Sequence, residues 1–284
     1  MVNSRRIPIN CPVHSPCLEL NYLEQGSGEV LILVHGLGGT ADNWRGQMEA
    51  LAPYCRVIAP DLRGHGQSGY RADEPVSVRV FADDVMALLD QLGVARAHFC
   101  GLSMGGMIVL EIFVRHPFRL NSLILADTTA FFPPPQALAA ILKHFDHLDL
   151  ARWGQVMASL LLRRQAPAAL RQEVARMLAA NRPDLYRQGL IAAFEGDYRW
   201  MLSQIDLPTL VLVGEEDQAT PIGYARLLHE HIKNSTLQII PDAGHYSSLE
   251  NPAAFNRQLV RHLQECQAGP RTSHLAGRQE RSRT

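Results

Sequence analysis

Cysteine is scarce in this sequence, and its spacing does not suggest pairing. The chain holds Cys11, Cys17, Cys55, Cys100 and Cys266, an odd count with no C-x-x-C spacing. Neither a disulfide framework nor a zinc site is supported, and a reduced, cytoplasmic setting is expected. Cys11, His14 and Cys17 lie close together, but no second ligand pair follows downstream, so they read as part of a coiled N-terminal lead-in. An excess of charge of either sign is also missing. Lys and Arg number 27 against 28 Asp and Glu, a formal net charge of −1, so neither a nucleic acid nor a membrane surface is expected as partner. No apolar run reaches the roughly 18 residues of a membrane span. Met1–Asn10 carries Arg5 and Arg6 but no apolar stretch of the kind a signal peptide needs.

What is present suits a buried core. Of 284 residues, 46 % are hydrophobic and 19 % charged, which fits one large α/β domain or a core with an insertion. Strand and helix patterns alternate. Leu18–Glu24 reads as a strand. Val30–Val34 is a continuous apolar run, as a strand covered on both faces should be. A helical stretch, Asp42–Leu51, and a short strand, Arg56–Ala59, come next. Val78–Leu92 is an amphipathic helix, with Phe81, Val85, Leu88 and Leu92 at three- and four-residue steps and Gly93 after its end. Ala97–Gly101 reads as a strand, Met104–His116 as a helix stopped at Pro117, and Leu120–Ala126 as a strand. This order predicts a mostly parallel sheet with right-handed crossovers. The rhythm breaks at three consecutive prolines, Pro133–Pro135. From there to about Trp200 only helical stretches occur. Strand and helix resume with Thr209–Val213, Ile222–Ile232, Thr236–Ile240 and Pro252–Leu263. The domain reading is therefore a core over 1–130 and 201–266, a helical cap over 131–200, and a polar, disordered tail over 267–284.

One motif carries chemistry. Gly101-Leu102-Ser103-Met104-Gly105-Gly106 lies where a strand passes into a helix, the setting of a nucleophile elbow. A serine hydroxyl is a weak nucleophile and needs a base for its proton and donors for the oxyanion it creates. His245, in Asp242-Ala243-Gly244-His245-Tyr246 after the last strand, is the candidate base. The other histidines, His116, His144, His147, His229 and His231 among them, read as surface or packing residues. Asp217, in the turn after Thr209–Val213, is the favoured acid; Asp127, at the end of an earlier strand, competes for that role. Glu215 and Glu216 read as solvated. The amides of Met104 and Leu37 are the candidate oxyanion donors, Leu37 from the loop His35-Gly36-Leu37-Gly38-Gly39. That loop is not a dinucleotide-binding fingerprint, since its glycines do not follow G-x-G-x-x-G. Neither a metal nor an organic cofactor is called for.

Together, His35–Gly39, Asp61-Leu62-Arg63-Gly64-His65-Gly66-Gln67-Ser68, the elbow, Asp217 and Ala243-Gly244-His245 resemble the α/β-hydrolase superfamily over about residues 18–265. The stretch Ala97–Met107, and Gly36–Gly39 with Trp44 after it, resemble the 3-oxoadipate enol-lactonases within it. The resemblance implies the α/β-hydrolase fold, a helical lid over the site, and hydrolysis of a small-molecule ester or lactone through an acyl-enzyme. It also implies a substrate bearing a carboxylate, which a cap arginine would bind; Arg152, Arg163, Arg164, Arg171, Arg182 and Arg187 are available. Trp153 is a candidate for lining the pocket or for packing the cap. A general carboxylesterase is the strongest rival. The carbon–carbon bond hydrolases of aromatic meta-cleavage show Gly-Pro-Gly after His-Gly and Asn before the nucleophile, where this chain has Gly38-Gly39-Thr40 and Leu102. A small-molecule receptor with little turnover is the alternative from another class.

Overall fold

The structure is a computed structural model. It describes residues 2–11, 14–71, 76–132 and 135–268, with the backbone alone for 10, 11, 14–17 and 135. The tail over 267–284 thus falls almost wholly outside the described residues, as do the side chains of Cys11, His14 and Cys17.

The chain begins with two strands, β1 (Asn3–Cys11) and β2 (His14–Gln25), paired antiparallel from Asn3↔Glu24 to Cys11↔His14. The lead-in is therefore a strand, which corrects the coil expected there. Its hydrophobic signal is thin. Ile9 is buried and Ile7 packs on the core, but Arg5, Arg6 and Pro8 interrupt them. An edge strand tolerates this because only one of its sides must be paired.

The buried strands follow: β3 (Val30–Val34), then α1 (Arg45–Leu51) behind a 3₁₀ turn at Ala41–Trp44, β4 (Arg56–Pro60), α2 (Val78–Gln91), β5 (Ala97–Leu102), α3 (Met104–Arg115) and β6 (Leu120–Ala126). Every residue of β3 and β5 is buried, as strands sandwiched between helix layers require. Four helices then run without a strand: α4 (Pro135–Asp146), α5 (Leu150–Leu161), α6 (Ala168–Ala179) and α7 (Pro183–Glu195). The sheet resumes with β7 (Thr209–Gly214), α8 (Ile222–His231) and β8 (Ser235–Ile240). The short α9 (Ser247–Glu250) and the long α10 (Pro252–Gln267) close the described chain.

The eight strands form one sheet in the order β1-β2-β4-β3-β5-β6-β7-β8, antiparallel at β1-β2 and β2-β4 and parallel from there on. Because β3 to β8 are parallel, their carboxyl ends share one edge. In open α/β sheets ligands bind along that edge, and here α4 to α7 are inserted above it. Among the described residues no helix is long and apolar enough to cross a membrane.

Candidate active site

The elbow is built by close packing. Ser103 has φ +56° and ψ −121°, a conformation that costs a non-glycine residue about 1–3 kcal/mol and that the surroundings must enforce. Two glycines make it sterically possible. A Cβ on Gly101 would stand 2.2 Å from the Gly105 carbonyl oxygen, and one on Gly105 would stand 2.3 Å from that of Val34. The turn is pinned by hydrogen bonds. The Ser103 amide donates to the Ala126 carbonyl at 3.0 Å, and the Thr128 hydroxyl donates to the Ser103 carbonyl at 2.6 Å.

The loop after β3 lies against this turn, since a Cβ on Gly36 would come within 3.1 Å of Ser103 Cβ. His35 holds the loop in place. Its Nδ1–H donates to the Gly36 carbonyl at 2.8 Å and its Nε2 accepts the Leu62 amide at 3.0 Å. That arrangement needs a neutral ring, and burial pushes the His35 pKa down to about 4. Leu37 is thereby set beside Ser103 at the same cavity. Met104 opens α3, where the first amides have no partner within the helix and carry the positive end of its dipole.

Asp217 and His245 meet at the ends of β7 and β8. His245 Nδ1 lies 2.9 Å from Asp217 Oδ2. The other Asp217 oxygen accepts the amides of Ala219 at 2.8 Å and Thr220 at 2.9 Å, and the Thr220 hydroxyl donates to Oδ2 at 2.8 Å. Burial pushes the Asp217 carboxyl up, but the facing His245 and these donors outweigh it and hold it below the usual range. Burial also opposes a charged His245, yet the Asp217 carboxylate more than offsets this, so its pKa lies above the ordinary histidine value. Asp127 has different partners. Its oxygens accept the Gly214 amide at 2.8 Å, the Ser247 amide at 3.3 Å and the Ser247 hydroxyl at 2.5 Å. It ties the ends of β6 and β7 to the loop that follows His245, and burial with the nearby Asp217 charge pushes its pKa up.

Two further polar residues escaped the sequence reading, Thr220 and Glu250. The Glu250 carboxylate accepts the Gly244 amide at 2.8 Å and the Arg163 amide at 2.9 Å. The His245 amide donates to the Leu161 carbonyl at 2.7 Å. The loop carrying His245 is thus hydrogen-bonded to the end of α5. Glu250 and Thr220 act through backbone amides or a short hydroxyl, and no spacing in the sequence announces such roles.

Ser103, His245, Leu37 and Met104 all line one cavity of about 540 Å³. Trp153 lines it too; it is buried and packs edge-on against Phe145 and Tyr186. Its indole N–H has no hydrogen-bond partner among the described residues, and burial pushes the neighbouring Tyr186 hydroxyl up to about 12. His144, read from sequence as surface or packing, is exposed and lines the cavity mouth. Among the described residues, no Lys, Arg, Asp or Glu lines the cavity, and no group of three or more His, Cys, Asp or Glu is placed to hold a metal ion.

A family model described as alpha/beta hydrolase fold matches residues 29–252. This chain belongs to the alpha/beta hydrolase family. Within that family it is similar to a 3-oxoadipate enol-lactonase 2 of Acinetobacter baylyi, at 32 % identity over 246 residues, covering 84 % of this chain and 91 % of the relative. It is also similar to a 2-hydroxymuconate semialdehyde hydrolase of a Pseudomonas species, at 28 % identity, covering 92 % of this chain and 99 % of the relative. A solved thermophilic esterase from Thermogutta terrifontis superposes with a TM-score of 0.85 at 28 % identity, covering 92 % of this hydrolase and 99 % of the esterase.

Proposed function

We propose that this alpha/beta hydrolase cleaves carboxylic esters or lactones in two steps through an acyl-enzyme on Ser103. The observation that carries the reading is the strained Ser103 elbow, which faces the same cavity as a histidine whose other ring nitrogen lies 2.9 Å from a buried carboxylate. Ser103 Oγ attacks the carbonyl carbon as His245 Nε2 takes its proton. Asp217 accepts from Nδ1–H, fixes that tautomer and stabilises the imidazolium. The amides of Leu37 and Met104 receive the oxyanion. His245 then protonates the departing alkoxide, or the ring oxygen in a lactone, and activates the water that releases the acid and restores Ser103. Asp217 rather than Asp127 is the acid, because Asp127 spends its oxygens on Gly214 and Ser247. The relatives' names place lactones beside simple esters among the substrates to try.

Hydrolysis of a p-nitrophenyl ester by the purified protein, abolished in Ser103→Ala, is the test. Equal behaviour of the two proteins would reject the hydrolytic reading and leave a small-molecule receptor.

A further inference from the structure

The walls of the cavity say what kind of substrate fits, given the ester or lactone chemistry proposed above. The cap contributes one continuous face of α5, with Trp153, Val156, Met157 and Leu160 at three- and four-residue steps along the cavity. From Trp153 to Leu160 is seven residues, about 10 Å of helix at 1.5 Å per residue. Trp153 is 3 % exposed, whereas Val156 is 42 % and Leu160 40 % exposed although both still line the cavity. The apolar track therefore runs from a buried end to the solvent-facing mouth.

Apart from the Trp153 indole N–H, the α5 face itself offers no donor to an anion; the polar groups that line the cavity elsewhere include Gln218, Thr220, Tyr224 and, at the mouth, His144, with no Lys or Arg among the described residues. A carboxylate in such a site needs a cation or several donors, and an unpaired one is strongly disfavoured. Three of the cap arginines have partners outside the cavity. Arg187 pairs with Asp146 at 3.0 Å, Arg171 donates to the Ala158 carbonyl at 3.3 Å, and Arg182 stacks on the Tyr70 ring at 5.1 Å. Among the described residues, none of these arginines lines the cavity.

We infer that the substrate is an uncharged ester or lactone carrying an extended apolar group that packs along α5, and that the site discriminates against a carboxylate on that group. A small dicarboxylate-derived lactone, as the enol-lactonase resemblance implies, does not meet this description.

The test uses matched esters: p-nitrophenyl hexanoate, the p-nitrophenyl monoester of adipic acid, and its methyl-capped diester. A second series places the same groups on the alcohol side of an acetate. In the series whose variable group enters the cavity, kcat/KM for the free acid is expected to fall at least about 100-fold below both neutral members, because burying an unpaired carboxylate costs far more than burying the neutral ester that caps it. Leu160→Arg, at the exposed rim, should narrow that gap at least tenfold by supplying a cation. Free acids turned over within about fivefold of the neutral esters in both series would overturn the inference while leaving the hydrolase reading intact. Failure to hydrolyse any member would reject both.

Discussion

The sheet edge and the cap form opposite walls of one cavity, and they are built in contrasting ways. On the sheet side the candidate reacting residues are held by specific hydrogen bonds. Asp217 accepts two amides and a hydroxyl, His245 faces Asp217, and the Ser103 turn is pinned by Ala126 and Thr128. On the cap side the wall is mostly apolar, with His144 at the mouth, and among the described residues no Lys, Arg, Asp or Glu lines it. Under the function proposed above, this contrast amounts to a division of labour: the sheet edge would fix geometry and protonation, and the cap would fix the polarity and shape of what reacts. Glu250 and the Leu161 carbonyl join the two walls at the loop carrying His245.

Substitutions on the two sides should therefore fail differently. The largest effect is expected at Ser103. Ser103→Ala should lower kcat by about 10⁴-fold or more on every ester tested, because members of such a unit act together. A cap variant that matched this loss across all substrates would mean that the two walls do not differ in role. Asp217→Asn comes next, with kcat expected to fall by up to about 10⁴-fold. It should also move the pH profile. His245 must be neutral to take the proton, and Asp217 raises its pKa, so kcat/KM of the wild type should be lost as pH falls through a midpoint above about 6.5. In Asp217→Asn burial acts with less opposition, and the midpoint should shift to lower pH.

Glu250→Ala probes the junction. Loss of its bonds to Gly244 and Arg163 should loosen the His245 loop, lowering kcat by about tenfold with less effect on KM. A change in KM alone would place Glu250 with the cap instead.

The smallest effect concerns stability. The sheet side buries the neutral rings of His35 and His65, with pKa values pushed down by burial to about 4 and about 3, whereas His144 and His147 of the cap are exposed. Unfolding lets the buried pair bind protons near pH 6.5, so folding stability should decline as pH drops from about 6.5 toward 4. Urea midpoints across that window check this; a midpoint that rose on acidification would contradict it.

Much of this was legible in the residues. Val30–Val34 and Ala97–Leu102 read as strands because parallel strands covered on both faces are continuously apolar. Ser103 and Asp217 were legible as candidates because each follows such a strand, and His245 because it lies in the turn after the last strand, although β8 is largely uncovered and mixes Ser, Thr and Gln with its apolar residues. The edge strand β1 was not, since Arg5, Arg6 and Pro8 dilute Ile7 and Ile9. The roles of Thr220, Asp127 and Glu250 were hidden because they depend on tertiary hydrogen bonds. The direction of the cap arginines was hidden too, because a helix leaves a long cationic side chain free to turn toward a pocket or toward solvent, and packing alone decides.

Under the proposed function Ser103 becomes the acyl carrier. Labelling the active protein with a fluorophosphonate and mapping the adduct by peptide mass spectrometry tests it directly. One adduct per chain is expected, on Ser103, formed in step with the loss of ester hydrolysis and absent from Ser103→Ala. Full labelling of Ser103 with hydrolysis retained, or inactivation with the adduct on another residue, would contradict it.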